Sequence, residues 1–257
     1  MIPSALEHIQ EITGRTGRLA IFLDYDGTLT PIVSHPEKAL LPNSVRQTIR
    51  ELGARAPVAI LSGRDLDDVR QRVNIDTIIY AGSHGFDISG PGGLRKQVAA
   101  EFLPNLDLAE TELEEALAGI PGARVERKRF SIAAHYRNTK ESDLPELERA
   151  VSEVAARHPE LRTIAAKKVY ELQPNIDWDK GRALMWLLES LRFDRQEVFP
   201  IYIGDDLTDE DAFRALQQRG VGILVSEQGP STAASYSLSD PTEVERFLRE
   251  LITFLVQ

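Results

Sequence analysis

Two carboxylates spaced i and i+2 leave an apolar run: Asp24-Tyr25-Asp26-Gly27-Thr28-Leu29 follows Leu19-Ala20-Ile21-Phe22-Leu23. One carboxylate could attack an electrophile while the other shuttles a proton, with a metal ion cancelling their mutual repulsion. A βα turn that uses Asp and Gly for turn chemistry competes with that reading, and these six residues do not choose between them. Three further motifs bear on the choice. Ser62-Gly63-Arg64 follows Ala59-Ile60-Leu61, and a small hydroxyl with a backbone N–H at a helix start binds phosphate oxygens. A helix cap followed by a surface Arg would use the same residues. Lys180 opens a helix in Asp177-Trp178-Asp179-Lys180-Gly181, where the helix dipole disfavours a cation; a solvated Lys is the plain alternative. Gly204-Asp205-Asp206-Leu207-Thr208-Asp209-Glu210-Asp211 follows Ile201-Tyr202-Ile203. Clustered acids after a buried strand suit a hard cation such as Mg²⁺. Asp209, Glu210 and Asp211 also favour a helix N-terminus, which leaves Asp205 unexplained.

The elements that must position these residues alternate. Apolar runs predict strands over 19–23, 58–61, 77–81, 198–203 and 221–225. Helical patterns cover 44–53 (capped by Asn43 or Ser44), 64–73, 179–191, 209–218 and 243–256. Such alternation predicts an α/β fold with a mostly parallel sheet, whose ligands bind at the carboxyl ends of the strands. The middle differs: helices over 101–118 and 144–157 accompany strands over 124–128, 131–136, 163–166 and 169–172. This predicts a smaller α+β unit over 101–176 inserted in a core of 1–100 and 177–257. Gly90-Pro91-Gly92-Gly93 reads as a hairpin-like turn just before that unit, and the hinges are expected near that turn and Pro174 to Asp177.

The 257 residues are 42% hydrophobic and 27% charged, as in ordinary globular proteins. The net charge of -10 argues against nucleic-acid partners or an anionic membrane surface. An anionic substrate stays open, because a local cluster of cations outweighs the global field. The absence of Cys excludes disulfides, thiolate catalysis and Cys-ligated zinc. The first eight residues lack a signal-peptide pattern, and no apolar run approaches the roughly 18 residues of a membrane span. A monomeric cytoplasmic protein is therefore expected.

Taken in order, the four motifs resemble those of the haloacid dehalogenase superfamily of phosphohydrolases, over the whole chain. The middle unit then corresponds to an inserted cap of the C2B type on a Rossmann-like core. A closer resemblance, to trehalose-6-phosphate phosphatases, rests on Ile60-Leu61-Ser62-Gly63-Arg64 with Asp68-Val69, on Ala81-Gly82-Ser83-His84-Gly85, and on Tyr202 to Phe213. It also rests on Glu126-Arg127-Lys128, His135-Tyr136-Arg137 and Tyr170-Glu171-Leu172-Gln173-Pro174. The resemblance implies that Asp24 is the nucleophile, forming an aspartyl-phosphate, and that Asp26 is first acid, then base. It implies Mg²⁺ on the Asp24 carboxylate, the Asp26 carbonyl and Asp205. Asp206 and Asp209 would stand behind, Asp209 fixing Lys180 or a metal-bound water. Ser62, Gly63 and Lys180 would hold the phosphoryl oxygens. Arg64 would contact substrate or support its loop, and His84 would line the substrate cleft or serve the core. Glu126, Lys128, Arg137 and Glu171, on cap strands, would meet the sugar hydroxyls; Glu126 and Lys128, two apart, share a face. The implied activity is Mg²⁺-dependent hydrolysis of trehalose 6-phosphate, with a functional link to a trehalose-6-phosphate synthase. Sucrose-phosphate and mannosylphosphoglycerate phosphatases, a phosphomutase, and a catalytically silent sugar-phosphate sensor are the alternatives.

Overall fold

The computed structural model describes residues 2–14, 18–33, 36–166, 168–191, 198–226 and 231–255. Along the chain run α1 (Ile9–Thr13), β1 (Arg18–Leu23), α2 (Asn43–Gly53), β2 (Val58–Leu61), α3 (Leu66–Val73) and β3 (Ile79–Gly82). A hairpin of β4 (Asp87–Ser89) and β5 (Arg95–Gln97) follows. Next come α4 (Leu103–Leu117), β6 (Arg124–Lys128), β7 (Ser131–His135), α5 (Leu144–Arg157), β8 (Leu161–Ala166) and β9 (Val169–Pro174). The chain closes with α6 (Lys180–Ser190), β10 (Val198–Gly204), α7 (Asp209–Leu216), β11 (Val221–Val225), β12 (Tyr236–Leu238) and α8 (Pro241–Leu255). It divides into two compact units, Met1–Lys96 with Trp178–Gln257, and Gln97–Asp177.

The first unit is an eight-stranded sheet in the order β12-β11-β10-β1-β2-β3-β4-β5. From β12 to β3 every pairing is parallel, and β4 returns antiparallel to β3. Apolar side chains on both faces of β1 explain its central place, because a parallel strand is covered on both sides. Ile21 and Leu23 pack with Leu52, Val69 and Phe247 of α2, α3 and α8. Ala20 and Phe22 pack with Leu184 and Phe213 of α6 and α7. Strand order runs β1-β2-β3 one way and β10-β11-β12 the other, so it reverses between β1 and β10. A crevice opens at the carboxyl ends of the strands at such a point.

The second unit is an antiparallel sheet, β6-β7-β9-β8. One face, with Ile132, Ala134 and Leu172, buries against Leu106 and Leu113 of α4 and Leu147 and Val151 of α5. By the alternation of a strand, the opposite face carries Glu126, Lys128, Ser131, His135 and Glu171.

Several elements depart from expectation. β4, β5 and β12 have three residues each and α1 has five, too few to show a period. The unit boundary falls at 96/97, shortly after the Gly90 to Gly93 turn. Its Gly92 and Gly93, at φ 70° and 79°, turn β4 into β5. Pro42 occupies the N-cap position of α2, with no side-chain cap from Asn43 or Ser44. α3 begins two residues late because Asp65, extended at φ -60° and ψ 149°, is its N-cap. Val256, the expected end of the last helix, lies outside the described residues. No described helix is long and apolar enough to cross a membrane.

Candidate active site

β1, β2 and β10 end side by side, and each releases the chain into a loop that carries one motif. The Asp24 N–H donates to the Ile203 carbonyl at 2.9 Å, tying the first residue beyond β1 to β10. Gly27 follows at φ 86°, and a Cβ there would lie 2.1 Å from Asp205 Oδ2. Only glycine lets these two loops approach so closely. The Thr28 hydroxyl donates to Asp205 Oδ1 at 3.3 Å.

Lys180, first residue of α6, is 2% exposed and donates to Asp24 Oδ1 and Asp209 Oδ1, each at 2.7 Å. Asp209, first residue of α7, is completely buried. Its Oδ1 also accepts from the Tyr202 hydroxyl at 2.6 Å, and its Oδ2 from the Asp205 and Asp206 N–H groups at 3.0 and 2.9 Å. Asp209 is thus the point on which Lys180 and the loop after β10 both hang. Asp206 is exposed, its Oδ1 accepting from the Leu207 N–H at 2.6 Å.

Burial pushes the Asp24 carboxyl well up; Lys180 opposes this, and Asp209 and Asp205 add to it. Burial, then the charges of Asp209 and Asp206, push Asp205 up to about 7. Burial disfavours the Lys180 ammonium, but the charges of Asp209 and Asp24 outweigh it and hold this group above its ordinary value. Tyr202 is raised by burial and by Asp209, which keeps its phenol a donor. Asp24, Asp205 and Asp209 each bring a carboxylate oxygen within 4.8 Å of the others. Three carboxylates around one ammonium leave negative charge that a hard divalent cation would cancel. Asp209 is already occupied by four donors, so Asp24 and Asp205 are the carboxylates such an ion would draw on.

Ser62, just beyond β2, is 1% exposed, and its hydroxyl accepts from the Arg64 N–H at 3.1 Å. At Gly63 a Cβ would lie 2.8 Å from His84 Cε1. His84, itself at φ 56°, donates its N–H to the Ser62 carbonyl at 2.9 Å. His84 therefore packs against the Ser62-Gly63 turn. Arg64 turns to Asp26, gripping both carboxylate oxygens at 2.7 Å, and reaches Asp68 at 2.9 Å.

In the second unit, Glu171 accepts from Lys128 Nζ at 3.0 Å and from the Ser131 hydroxyl. Glu126 pairs with His135 at 2.9 Å and Arg124 at 2.7 Å. The hydrogen bond from His135, against partial burial, takes Glu126 down to about 2. Glu126, Lys128 and Glu171 thus share one sheet face. Arg137 does not lie on a strand: β7 ends at His135, and Thr139 N–H turns back to the Tyr136 carbonyl at 3.1 Å, leaving Arg137 exposed in the turn. Tyr202 and His135 belong to these networks, yet the motif reading gives neither of them a role. Tyr202 looks like one more apolar strand residue, and its only signal is a phenol that needs a partner inside a buried run. His135 faces Glu126 through the pairing of β6 with β7, which no spacing reveals.

A family model described as trehalose-phosphatase matches residues 22–243. Among curated proteins, trehalose-phosphate phosphatase B of Arabidopsis thaliana is 43% identical over 265 residues, covering 97% of this chain and 71% of that one. Among solved structures, a trehalose-6-phosphate phosphatase related protein superposes with a TM-score of 0.80 at 28% identity, over 93% of this chain and 99% of that one. A haloacid dehalogenase-like hydrolase from Bacteroides thetaiotaomicron has the same fold, with a TM-score of 0.67 at 18% identity over 92% of this chain and 100% of that one. With its motif-bearing loops gathered where the strand order reverses, this chain belongs to the trehalose-phosphatase family.

Proposed function

We propose that this chain hydrolyses trehalose 6-phosphate to trehalose and phosphate through an aspartyl-phosphate. The observation that carries the reading is Lys180 Nζ, buried and bonded at 2.7 Å to both Asp24 and Asp209. A buried ammonium on a buried carboxylate holds the charge of a phosphoryl group beside its nucleophile. An Asp24 oxygen forms the new bond to phosphorus as the bond from phosphorus to the sugar oxygen breaks. Asp26 gives its proton to that leaving oxygen, so trehalose departs neutral. Asp26 then takes a proton from water, whose oxygen attacks the phosphorus and restores the Asp24 carboxylate. Ser62 and the Gly63 turn, with Lys180, hold the phosphoryl oxygens. Mg²⁺ would be held by the Asp24 carboxylate, the Asp26 carbonyl and Asp205, and when bound it supplies positive charge to the reacting phosphoryl group. On the second unit, the sheet face of Glu126, Lys128 and Glu171 offers both donors and acceptors, as a disaccharide's hydroxyls require.

The test is phosphate release from trehalose 6-phosphate, sucrose 6-phosphate and glucose 6-phosphate, with Asp24→Asn and EDTA controls. Strong preference for trehalose 6-phosphate is expected, with loss of activity in both controls. Equal rates on the three esters would overturn the substrate assignment. Full activity of Asp24→Asn would overturn the covalent mechanism, and full activity in EDTA the metal.

A further inference from the structure

Asp68 and Arg72 of α3 take no part in the chemistry above, yet they end a chain of charges that begins on Asp26. Arg64 uses Nε and Nη2 on the two Asp26 oxygens, both at 2.7 Å, and Nη1 on Asp68 Oδ2 at 2.9 Å. Arg72 Nε then meets both Asp68 oxygens, at 2.8 and 2.9 Å. Arg72 Nη1 ends on the carbonyls of Ala39 at 3.1 Å and Glu37 at 3.3 Å. The Ala39 carbonyl also accepts from the Tyr25 hydroxyl at 2.9 Å. Tyr25 stands between the two carboxylates, and the Arg64 guanidinium lies 5.3 Å from its ring centroid. The loop bearing Asp24 and Asp26 is therefore anchored twice to one carbonyl, directly through Tyr25 and through the charge chain.

We propose that Asp68 and Arg72 are positioning residues for Asp26, acting through Arg64. The inference rests on the phosphatase reading. A guanidinium held only by Asp26 would follow that carboxylate wherever it turned. Held also by Asp68, it stays in place when Asp26 turns one oxygen toward the leaving sugar oxygen to give it a proton. The carboxylate then pivots on its remaining bond and returns for the water step. The two guanidiniums are sheltered, the Arg64 side chain 10% exposed and Arg72 16%, while Asp68 between them, at 39%, is as open as Asp26 at 41%. As a mere surface pair on a helix, Asp68 and Arg72 would support only the fold.

Substrates that differ in their leaving group separate the two roles. A sugar alkoxide needs a proton as it departs; 4-nitrophenolate does not. Rapid-mixing, single-turnover measurements on the full chain with Mg²⁺ compare wild type with Asp68→Asn, which keeps the side chain's volume. The expected result is a fall of about tenfold in first-turnover trehalose release, with nitrophenolate release within about twofold of wild type and KM little changed. Equal falls with both substrates, or no fall with the sugar ester, would overturn the proposal. If Asp68→Asn does not fold, Arg72→Gln gives the same comparison with Asp68 left in place. Should the wild type release no phosphate from trehalose 6-phosphate, the proposed function fails instead. The positioning role is then tested with whichever sugar phosphate the enzyme does hydrolyse.

Discussion

Asp209→Asn probes the support beneath Lys180. The acid is completely buried and accepts from Lys180, Tyr202 and the N–H groups of Asp205 and Asp206. An amide keeps one acceptor oxygen, so its NH₂ faces either the first two donors or the last two. A buried donor that loses its acceptor costs about 1–3 kcal/mol, and a hydrogen bond to a charged group is worth about 1.5–3 kcal/mol. Removing the charge also relieves Asp24 and Asp205, which it pushes upward. That relief offsets part of the loss. The net loss is about 3 kcal/mol, a large part of the roughly 5–15 kcal/mol of a typical domain. For a chain of this size it lowers Tm by about 6–12 °C. Thermal and urea unfolding at pH 7, without added metal, measure it. A Tm within about 2 °C of wild type would refute the reasoning, since two of the four donors cannot lose their acceptor at no cost.

Gly27→Ala combines a left-handed backbone with a Cβ 2.1 Å from Asp205 Oδ2, so Asp205 must shift; a displacement near 1 Å costs about a hundredfold, read as kcat on trehalose 6-phosphate, and an unchanged kcat contradicts the close approach. Glu126 is held near 2, below the ordinary 4.5. The stability this contributes is fully present above 4.5 and drains away as pH falls toward 2. Urea midpoints of wild type should therefore drop more steeply over that window than those of Glu126→Gln; parallel curves would show that the His135 pair contributes nothing.

Much of the candidate site is legible because three of the four chemical motifs follow an apolar run, and a strand end beside a turn is the one place where sequence order predicts location. Glu126 and Lys128 were legible as sharing a face because their spacing matches the period of a strand. Arg64 was not: one guanidinium reaches substrate or loop with equal ease, and only the position of Asp26, 38 residues earlier, shows its direction. Arg137 was assigned to a strand because apolar content continues through Tyr136, whereas the pairing with β9 stops at His135. Strands β4 and β5 escaped because three residues carry no period, although the turn between them, Gly90 to Gly93, reads as hairpin-like from its composition.

Asp205 and Asp209 stand four residues apart, and the fold treats them in opposite ways. Asp209 is satisfied by four donors, whereas Asp205 has the Thr28 hydroxyl at 3.3 Å and sits among like charges. Near neutral pH an ionised Asp205 works against folding in the metal-free chain, because its pKa is raised above the value it has when unfolded. Substituting it by Asn would make that chain sturdier while removing a group on which the proposed cation would draw. Selection for heat resistance alone would therefore erode this enzyme from its centre, and its persistence as a catalyst depends on a trade between durability and turnover.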